Sequence, residues 1–203
     1  IRKAKFVDNL VKTNVPFIIW SVPPPDNGYC TVCGDNIAGG RQATDYLLRT
    51  GRRNIGFIGG PADEPEVQHR FSGYQNALIS AGHSVDPNLV LYGDYSHSFA
   101  VSAVQRLLQQ SPDLDAVFTN SDLMAIGAIE AIHAAGKRVP EDIAVVGYDD
   151  LLIAKYNNLP ITTIRQNIPL GGKLLAQNLI QYIQTGVVTN VSLPVELVVR
   201  RSA

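Results

Sequence analysis

The sequence predicts an α/β protein built on a parallel sheet with helices on both faces. Short apolar runs alternate with amphipathic segments along almost the whole chain, an order typical of strands joined by right-handed helical crossovers. The apolar runs are nearly unbroken, as in "IAVVG" at 143–147. Strands of this kind are buried on both faces, as they are in a parallel sheet.

The predicted strands are the apolar runs that turn residues bound on both sides. They cover residues 16–20, 54–60, 89–92, 115–119, 143–147, 161–165 and 191–200. The stretch "SVPPPDNGY" after the first strand is predicted to be an exposed, proline-rich loop.

The predicted helices have apolar residues at helical spacing between start and stop signals. They cover residues 35–51, 66–82, 99–110, 121–136 and 168–186. Asp35 can cap the first of them and Gly51 can end it, while Pro169 lies in the first turn of the last. The chain also opens in a helix-like stretch, 2–14, with no strand before it. A doubly wound domain normally begins with a strand, so we expect the front of this domain to be missing.

Composition excludes several classes of protein. The chain has 203 residues, 45% of them hydrophobic and 17% charged, with a formal net charge of −1. A strongly basic balance, which would indicate a nucleic-acid-binding surface, is absent. No apolar run approaches the ~18 residues that a membrane span needs. The opening segment also lacks the apolar core of a signal peptide.

Two cysteines, Cys30 and Cys33, form a lone C-x-x-C pattern. Zinc needs four ligands, and neither a second C-x-x-C nor histidines at metal spacing are present. The stretch also resembles a strand, which would send positions three apart to opposite faces. We therefore predict buried structural thiols, and neither a metal nor a cofactor.

Polar residues follow the predicted strands where a parallel sheet binds ligands, at the carboxyl ends. They are Arg70, Asp94, Tyr95, Asn120, Asp122, Asp149, Asp150 and Gln166. Carboxylates accept hydrogen bonds from hydroxyls, a guanidinium donates several in a fixed fork, and an amide does both. An aromatic ring offers an apolar face to a sugar or a flat heterocycle. This set suits a small neutral polyol and requires no reacting group.

Each of these residues also has a purely structural interpretation. Asn120 or Ser121 can cap the following helix, and Asp149 or Asp150 can cap the segment after 150. Arg70 can pair with Glu66, one helical turn earlier. Tyr95 can be a half-buried loop aromatic, and Gln166 can satisfy backbone groups. Capping does not explain Arg70, Tyr95 and Gln166, and their common location favours a binding site.

Five stretches together resemble the lactose-repressor/galactose-repressor (LacI–GalR) family. They are "GGRQATDYLLRTGRRNIGFIGG", "HRFSGYQNAL", "DAVFTNSDLMAIGAIEAIHAAGKRVPEDIAVVGYDD", "LPITTIRQNIPLGGKLLAQNLI" and "LPVELVVRRS". The resemblance runs from about residue 14 to the end. It implies two lobes shaped like a periplasmic sugar-binding protein and joined by three crossing strands. The amino-terminal lobe (1–34 and 165–194) would be partial, and the carboxyl-terminal lobe (35–164 and 195–203) complete.

The resemblance also assigns roles to the strand-end residues. It makes Arg70 and Asp149 the pair that binds hydroxyls, and it places Asn120, Gln166 and Tyr95 against the ligand. Trp20 departs from the small or acidic residue expected after its strand and would stack on the ligand or narrow the cleft. We expect Asp150 to be the helix cap.

The implied function is the effector-binding and dimerisation domain of a cytoplasmic transcriptional regulator. A sugar or related polyol would close the cleft and alter operator binding through an N-terminal helix-turn-helix that this sequence lacks. The alternative is a secreted or periplasmic sugar receptor of a transport system with the same fold. An enzyme is disfavoured, because the sequence offers no nucleophile–base pair, metal set or phosphate loop.

Overall fold

The computed structural model describes residues 2–13, 15–23 and 29–203. Contacts divide it into two compact units. The first comprises Ile1–Asp35 and Asn167–Pro194, and the second comprises Asn36–Gln166 and Val195–Ala203. The tip of the proline-rich loop expected after the first strand, residues 24–28, lies outside the described residues.

The helices and strands alternate along most of the chain. The helices are α1 (Arg2–Lys12), α2 (Asn36–Arg49), α3 (Pro65–Ser80), α4 (His97–Gln110), α5 (Asp122–Ala134), α6 (Leu152–Tyr156) and α7 (Ile168–Thr185). The strands are β1 (Ile18–Trp20), β2 (Cys30–Gly34), β3 (Ile55–Gly59), β4 (Val90–Tyr92), β5 (Ala116–Thr119), β6 (Ala144–Asp149), β7 (Thr162–Gln166), β8 (Asn190–Leu193) and β9 (Val195–Val198). None of the helices in the described ranges is long and apolar enough to cross a bilayer.

The first unit contains a three-stranded parallel sheet in the order β1-β2-β8. Its central strand, β2, is fully buried. Cys30 and Cys33 both lie in this strand and are buried, as predicted. The Thr189 N–H points to the Cys30 sulfur at 3.3 Å.

The second unit contains a six-stranded sheet in the order β4-β3-β5-β6-β7-β9. Strands β3 to β7 are parallel, which confirms the predicted fold class. Apolar side chains of α2 and α3 pack against one face of the sheet, and those of α4 and α5 against the other. The chain leaves β3 toward β4 on one side and returns to β5 on the other. The gap between the carboxyl ends of β3 and β5 is therefore the switch point, where open sheets of this type bind ligands.

The final strand differs from the prediction. Residues 191–200, predicted as one strand, form two strands that belong to different sheets and separate at Pro194. Proline has no N–H to donate to a ladder, so it interrupts the pairing. After the break, β9 runs antiparallel to β7 at the edge of the sheet.

Candidate functional site

Arg70 spans the switch point of the second sheet. It projects from α3, which follows β3, and only 6% of its surface is exposed. Its Nε donates to Asn36 Oδ1 at 2.8 Å, and its Nη1 donates to the backbone carbonyl of Asn120, just beyond β5, at 2.6 Å. The guanidinium carbon lies 3.7 Å from the centre of the Tyr148 ring. We call Arg70, Asn36, Asn120 and Tyr148 the guanidinium cluster.

Close packing of α2 on α3 sets the position of Arg70. A Cβ at Gly40 would overlap the Arg70 carbonyl, and a Cβ at Gly73 would overlap the Ile37 carbonyl. The two glycines therefore allow the helix backbones to approach closely. The structure disagrees with a helical pairing of Arg70 and Glu66, because the hydrogen bonds of the guanidinium go to the cluster.

The side chain of Asn120 is completely buried, and neither of its polar atoms has a hydrogen-bond partner among the described residues. It does not cap α5, because Ser121 is the cap and its Oγ accepts a hydrogen bond from the Met124 N–H at 3.3 Å. A buried polar group without a partner costs about 1–3 kcal/mol. In native proteins such a group indicates a function or a bound water or ligand.

Asp149 ends β6 with a φ of 103°, and Asp150 follows with a φ of 54°. We call Asp149, Asp150 and Leu151 the acid turn. Asp149 Oδ1 accepts a hydrogen bond from Gln166 Nε2 at 2.7 Å. Its Oδ2 accepts none from the residues that the structure describes. Gln166 thus orients Asp149 instead of satisfying backbone groups.

The prediction that Asp150 caps the next helix is wrong. Leu151 is the N-cap of α6, and no side chain caps it. Asp150 instead accepts from Arg165 Nε at 2.6 Å and from Arg200 Nη2 at 2.5 Å. Burial alone would raise the pKa of Asp150, but the hydrogen bonds from these two arginines hold it below the ordinary value.

Asp122 is a buried acid that lies directly behind the acid turn. Its Oδ2 accepts from the Leu151 N–H at 2.7 Å, and its Oδ1 accepts from Thr163 Oγ1 at 2.6 Å. Burial raises its pKa to about 7, the hydrogen bonds from Thr163 and Leu151 oppose that rise, and the charges of Asp149 and Asp150 add to it. Its place after β5 is visible in the sequence, but no sequence pattern indicates these partners.

Tyr95 follows β4 in the left-handed region, with a φ of 63°. Its ring lies against Gly60, where any Cβ would overlap it. Burial raises the pKa of its hydroxyl, the nearby charge of Arg70 opposes the rise, and Glu64 adds to it. Tyr95 is therefore a half-buried loop aromatic that also adjoins the guanidinium cluster. Such a φ is rare outside glycine, and strained residues of this kind concentrate at functional sites.

Trp20 ends β1 in the first unit. Its indole lies against Gly171 of α7, a position at which any Cβ would overlap the ring. Gly171 thus makes room for a partly buried tryptophan. Its role at the ligand stays a prediction.

At the carboxyl ends of the strands in the second unit, three polar groups form no hydrogen bond with the residues that the structure describes. They are Nη2 of Arg70, the amide of Asn120 and Oδ2 of Asp149. Arg70 and Asp149 form no ion pair with each other; they are linked through Tyr148, which precedes Asp149 and supports the guanidinium. The site thus offers a donor, an amide and an acceptor, which matches the hydrogen-bonding capacity of a polyol. In the described part of the chain, no group of histidine, cysteine and acidic side chains is placed to hold a metal ion.

Residues 44–203 match the family of periplasmic binding protein-like domains. Over 93% of its length the chain is 43% identical to the HTH-type transcriptional regulator CelR of Thermobifida fusca, and over 83% it is 34% identical to the ribose operon repressor of Escherichia coli K12. It spans about half of these relatives, 55% of the former and 51% of the latter.

Two solved structures have similar folds. A complex of the transcriptional regulator CelR with cellobiose has a TM-score of 0.89 at 40% identity and covers 93% of this chain and 59% of that one. A LacI family regulator from Enterococcus faecium with bound ribose has a TM-score of 0.83 at 27% identity and covers 97% of this chain and 73% of that one.

Proposed function

Because the chain belongs to the LacI family of transcriptional regulators and contains the effector-binding domain of that family, we propose that it binds a sugar or a related small polyol. The proposed site lies at the carboxyl ends of strands β3 to β7. The alternative of a sugar receptor in a transport system is wrong, because the relatives that match most of this chain are transcriptional regulators.

The buried amide of Asn120 is the observation that carries this proposal. Both of its polar atoms lack a partner among the described residues, although the side chain is fully buried. A polyol hydroxyl both donates and accepts, so it can satisfy the amide nitrogen and the amide oxygen. Arg70 Nη1 donates a hydrogen bond to the backbone carbonyl of Asn120, at 2.6 Å. A ligand that meets the amide therefore lies beside the guanidinium.

We assign roles by chemistry. Arg70 Nη2 donates to a hydroxyl, and Asp149 Oδ2 accepts from one while Gln166 holds the other carboxylate oxygen. Tyr95 offers its ring to the apolar face of the ligand. Cellobiose and ribose are bound in the two related structures, so they are the first sugars to try.

The regulatory step that we propose is a shift between conformations. An effector moves such an equilibrium only by the difference in its affinity for the two states. In the proposed cytoplasmic regulator, the shift would alter how a pair of DNA-binding headpieces meets the operator. The chain itself performs no chemical reaction in this proposal.

A homodimer would provide the pair of headpieces, and an exposed apolar surface at α6 favours such a dimer. Apolar side chains on and beside this short helix are exposed: Leu152 by 75%, Tyr156 by 73%, Ile153 by 48% and Leu151 by 47%. Exposed apolar groups that lie together mark interaction surfaces. Replacing Leu152 with Asp should shift the full-length protein toward monomers in analytical ultracentrifugation, and an unchanged mass would contradict this surface.

Titration calorimetry of the full-length regulator with cellobiose, ribose and other neutral sugars tests the binding proposal. At least one sugar should bind. Asn120→Ala should lower the affinity for that sugar by about 10-fold or more, which corresponds to the loss of one or two hydrogen bonds. Asn88→Ala, at an exposed position of the short 3-10 helix Pro87–Leu89 in the same unit, is the matched control and should bind as wild type does. Equal affinity in Asn120→Ala and wild type would overturn the assignment.

A further inference from the structure

We propose that Asp122 is a positioning residue for effector binding, because it anchors the acid turn that presents Asp149 to the ligand. The inference rests on the proposed function of the site. Asp122 itself is completely buried and is one of the residues at the switch-point end of β5.

The anchor consists of two hydrogen bonds to one carboxyl group. The Leu151 N–H, which closes the acid turn, donates to Oδ2 at 2.7 Å. The Thr163 hydroxyl, from the neighbouring strand β7, donates to Oδ1 at 2.6 Å. The acid turn is therefore tied to the start of α5 and to the middle of the sheet.

The turn needs an anchor because its backbone is strained. Asp149 and Asp150 both have positive φ, 103° and 54°. Residues other than glycine persist in such conformations only where the surrounding structure holds them. No side chain caps α6, the helix that follows the turn. The hydrogen bond from the Leu151 N–H to Asp122 therefore fixes the backbone at the end of the turn.

The sheet is shaped to admit the carboxyl group. A Cβ at Gly147 would overlap Asp122 Oδ1, so only glycine fits at that point of β6. Gly147 pairs with Thr163 in the ladder between β6 and β7. The missing side chain on one strand and the hydroxyl on the next together define a slot for the acid.

The slot accepts the carboxyl group of Asp122 in either protonation state. Asp150 is neutralised by Arg165 and Arg200, whereas no described cation pairs with Asp149. Asp149 and Asp150 raise the pKa of Asp122, after burial as the main cause, to about 7. Either form keeps the anchor: Oδ2 accepts from Leu151 in both, and the Thr163 hydroxyl can turn to accept from a protonated Oδ1.

The test compares two substitutions at Asp122 in the full-length regulator, by calorimetry with a sugar that the wild type binds. Asp122→Ala should weaken binding by about 10-fold or more, because the turn loses its anchor. Asp122→Asn should stay within about 3-fold of wild type, because its amide oxygen accepts from Leu151 and its NH₂ can donate to Thr163. Ile132→Val, a core change of the same unit, should lower stability and leave affinity unchanged.

A second measurement, without ligand, follows the Leu151 amide by NMR. Its proton resonance should shift with pH in the wild type as Asp122 titrates, and it should stop shifting in Asp122→Asn. Thr163→Ser should retain wild-type affinity, and Thr163→Val should lose part of it. These two variants keep the test decisive should Asp122→Ala fail to fold.

Two results would overturn the inference: wild-type affinity in folded Asp122→Ala, or a Leu151 amide resonance that this substitution leaves unchanged. Failure of the proposed function gives a different pattern. In that case Asp149→Asn and Asn120→Ala also leave sugar affinity unchanged, while the response of the Leu151 amide persists.

Discussion

The guanidinium cluster and the acid turn adjoin each other in the chain at Tyr148, yet different forces hold them. In the cluster, Arg70 is fixed by two hydrogen bonds and a ring, at separations of 2.8, 2.6 and 3.7 Å. In the acid turn, positive φ angles and neighbouring carboxyl groups work against the arrangement. We therefore expect the cluster to contribute both to the stability of the fold and to ligand binding. The backbone strain of the turn is offset by the hydrogen bond from Gln166 to Asp149 and by the hydrogen bond from Leu151 to Asp122.

The largest expected effect comes from Arg70→Ala. The change removes the buried hydrogen bonds from Arg70 to Asn36 Oδ1 and to the Asn120 carbonyl. Each lost bond of this kind costs about 1–3 kcal/mol. The change also removes the donor to the ligand, so sugar affinity should fall by about 100-fold or more. Chemical denaturation and calorimetry measure the two losses.

Arg106→Ala, on an exposed position of α4, is the matched control for charge and should change neither quantity. Arg70→Lys keeps the charge but not the fork, so it should recover stability only in part. Normal stability with lost affinity in Arg70→Ala would show that the cluster serves the ligand alone.

Asp149→Asn should produce the next largest effect, on binding alone. The substitution turns one acceptor oxygen into an NH₂, and a bond to a charged group contributes about 1.5–3 kcal/mol. Sugar affinity should therefore fall by about 10- to 100-fold, while the denaturation midpoint changes little. Asp45→Asn, at a half-exposed position of α2 where the carboxylate pairs with Arg41, is the control.

Asp150→Asn should lower stability and leave sugar affinity nearly unchanged, because this acid pairs with Arg165 and Arg200 instead of the ligand. Loss of these bonds should lower the free energy of unfolding by about 1–3 kcal/mol with affinity near that of wild type. A fall in affinity at Asp150 equal to that at Asp149 would show that both acids face the effector.

The stability of the protein should depend on pH through Asp122. The folded-state pKa of Asp122 is about 7, against an ordinary value of 3.8. Between these values the folded protein holds a proton that the unfolded chain releases, so the free energy of unfolding should fall as pH rises through this window. One pKa unit corresponds to about 1.4 kcal/mol, so the change should be a few kcal/mol.

Urea denaturation between pH 4.5 and 8 measures this slope, which should disappear in Asp122→Asn. Asp142 does not obscure it. The hydrogen bond from Arg138 lowers the pKa of Asp142 to about 2, so its stabilisation is lost only as pH falls below that of an ordinary aspartate. An identical slope in wild type and Asp122→Asn would contradict the assigned pKa.

The guanidinium cluster and the acid turn were predictable from the sequence to different degrees. Alternation of strands and helices fixes which segments end at the ligand edge of a parallel sheet, so Arg70, Asn120, Asp149 and Gln166 could be selected from their positions alone. In the second unit Arg70 contacts Asn120 and Gln166 contacts Asp149, while their role at the ligand stays a prediction.

The partners that come from distant strands could not be predicted. Asp150 looked like a helix cap because capping is local, whereas its arginines lie 15 and 50 residues away. The slot of Asp122 depends on Gly147 and Thr163, which meet it only once β6 and β7 are paired. The antiparallel β9 is likewise set by which sheet receives the chain after Pro194, and local patterns carry no information on that choice.

The smallest expected effect separates the ring of Tyr148 from its hydroxyl. The ring lies under Arg70 at 3.7 Å, while the hydroxyl reaches Asn36 Oδ1 only at 3.4 Å, a long hydrogen bond. Tyr148→Phe keeps the ring and should lower sugar affinity by less than about 3-fold. Tyr148→Leu removes the ring face, which contributes about 0.5–2 kcal/mol to a nearby cation, so it should lower affinity by about 3- to 30-fold. Calorimetry on the two variants compares these two losses of affinity. If Phe costs as much as Leu, the hydroxyl holds the cluster through Asn36, and the cation would not depend on the aromatic face beneath it.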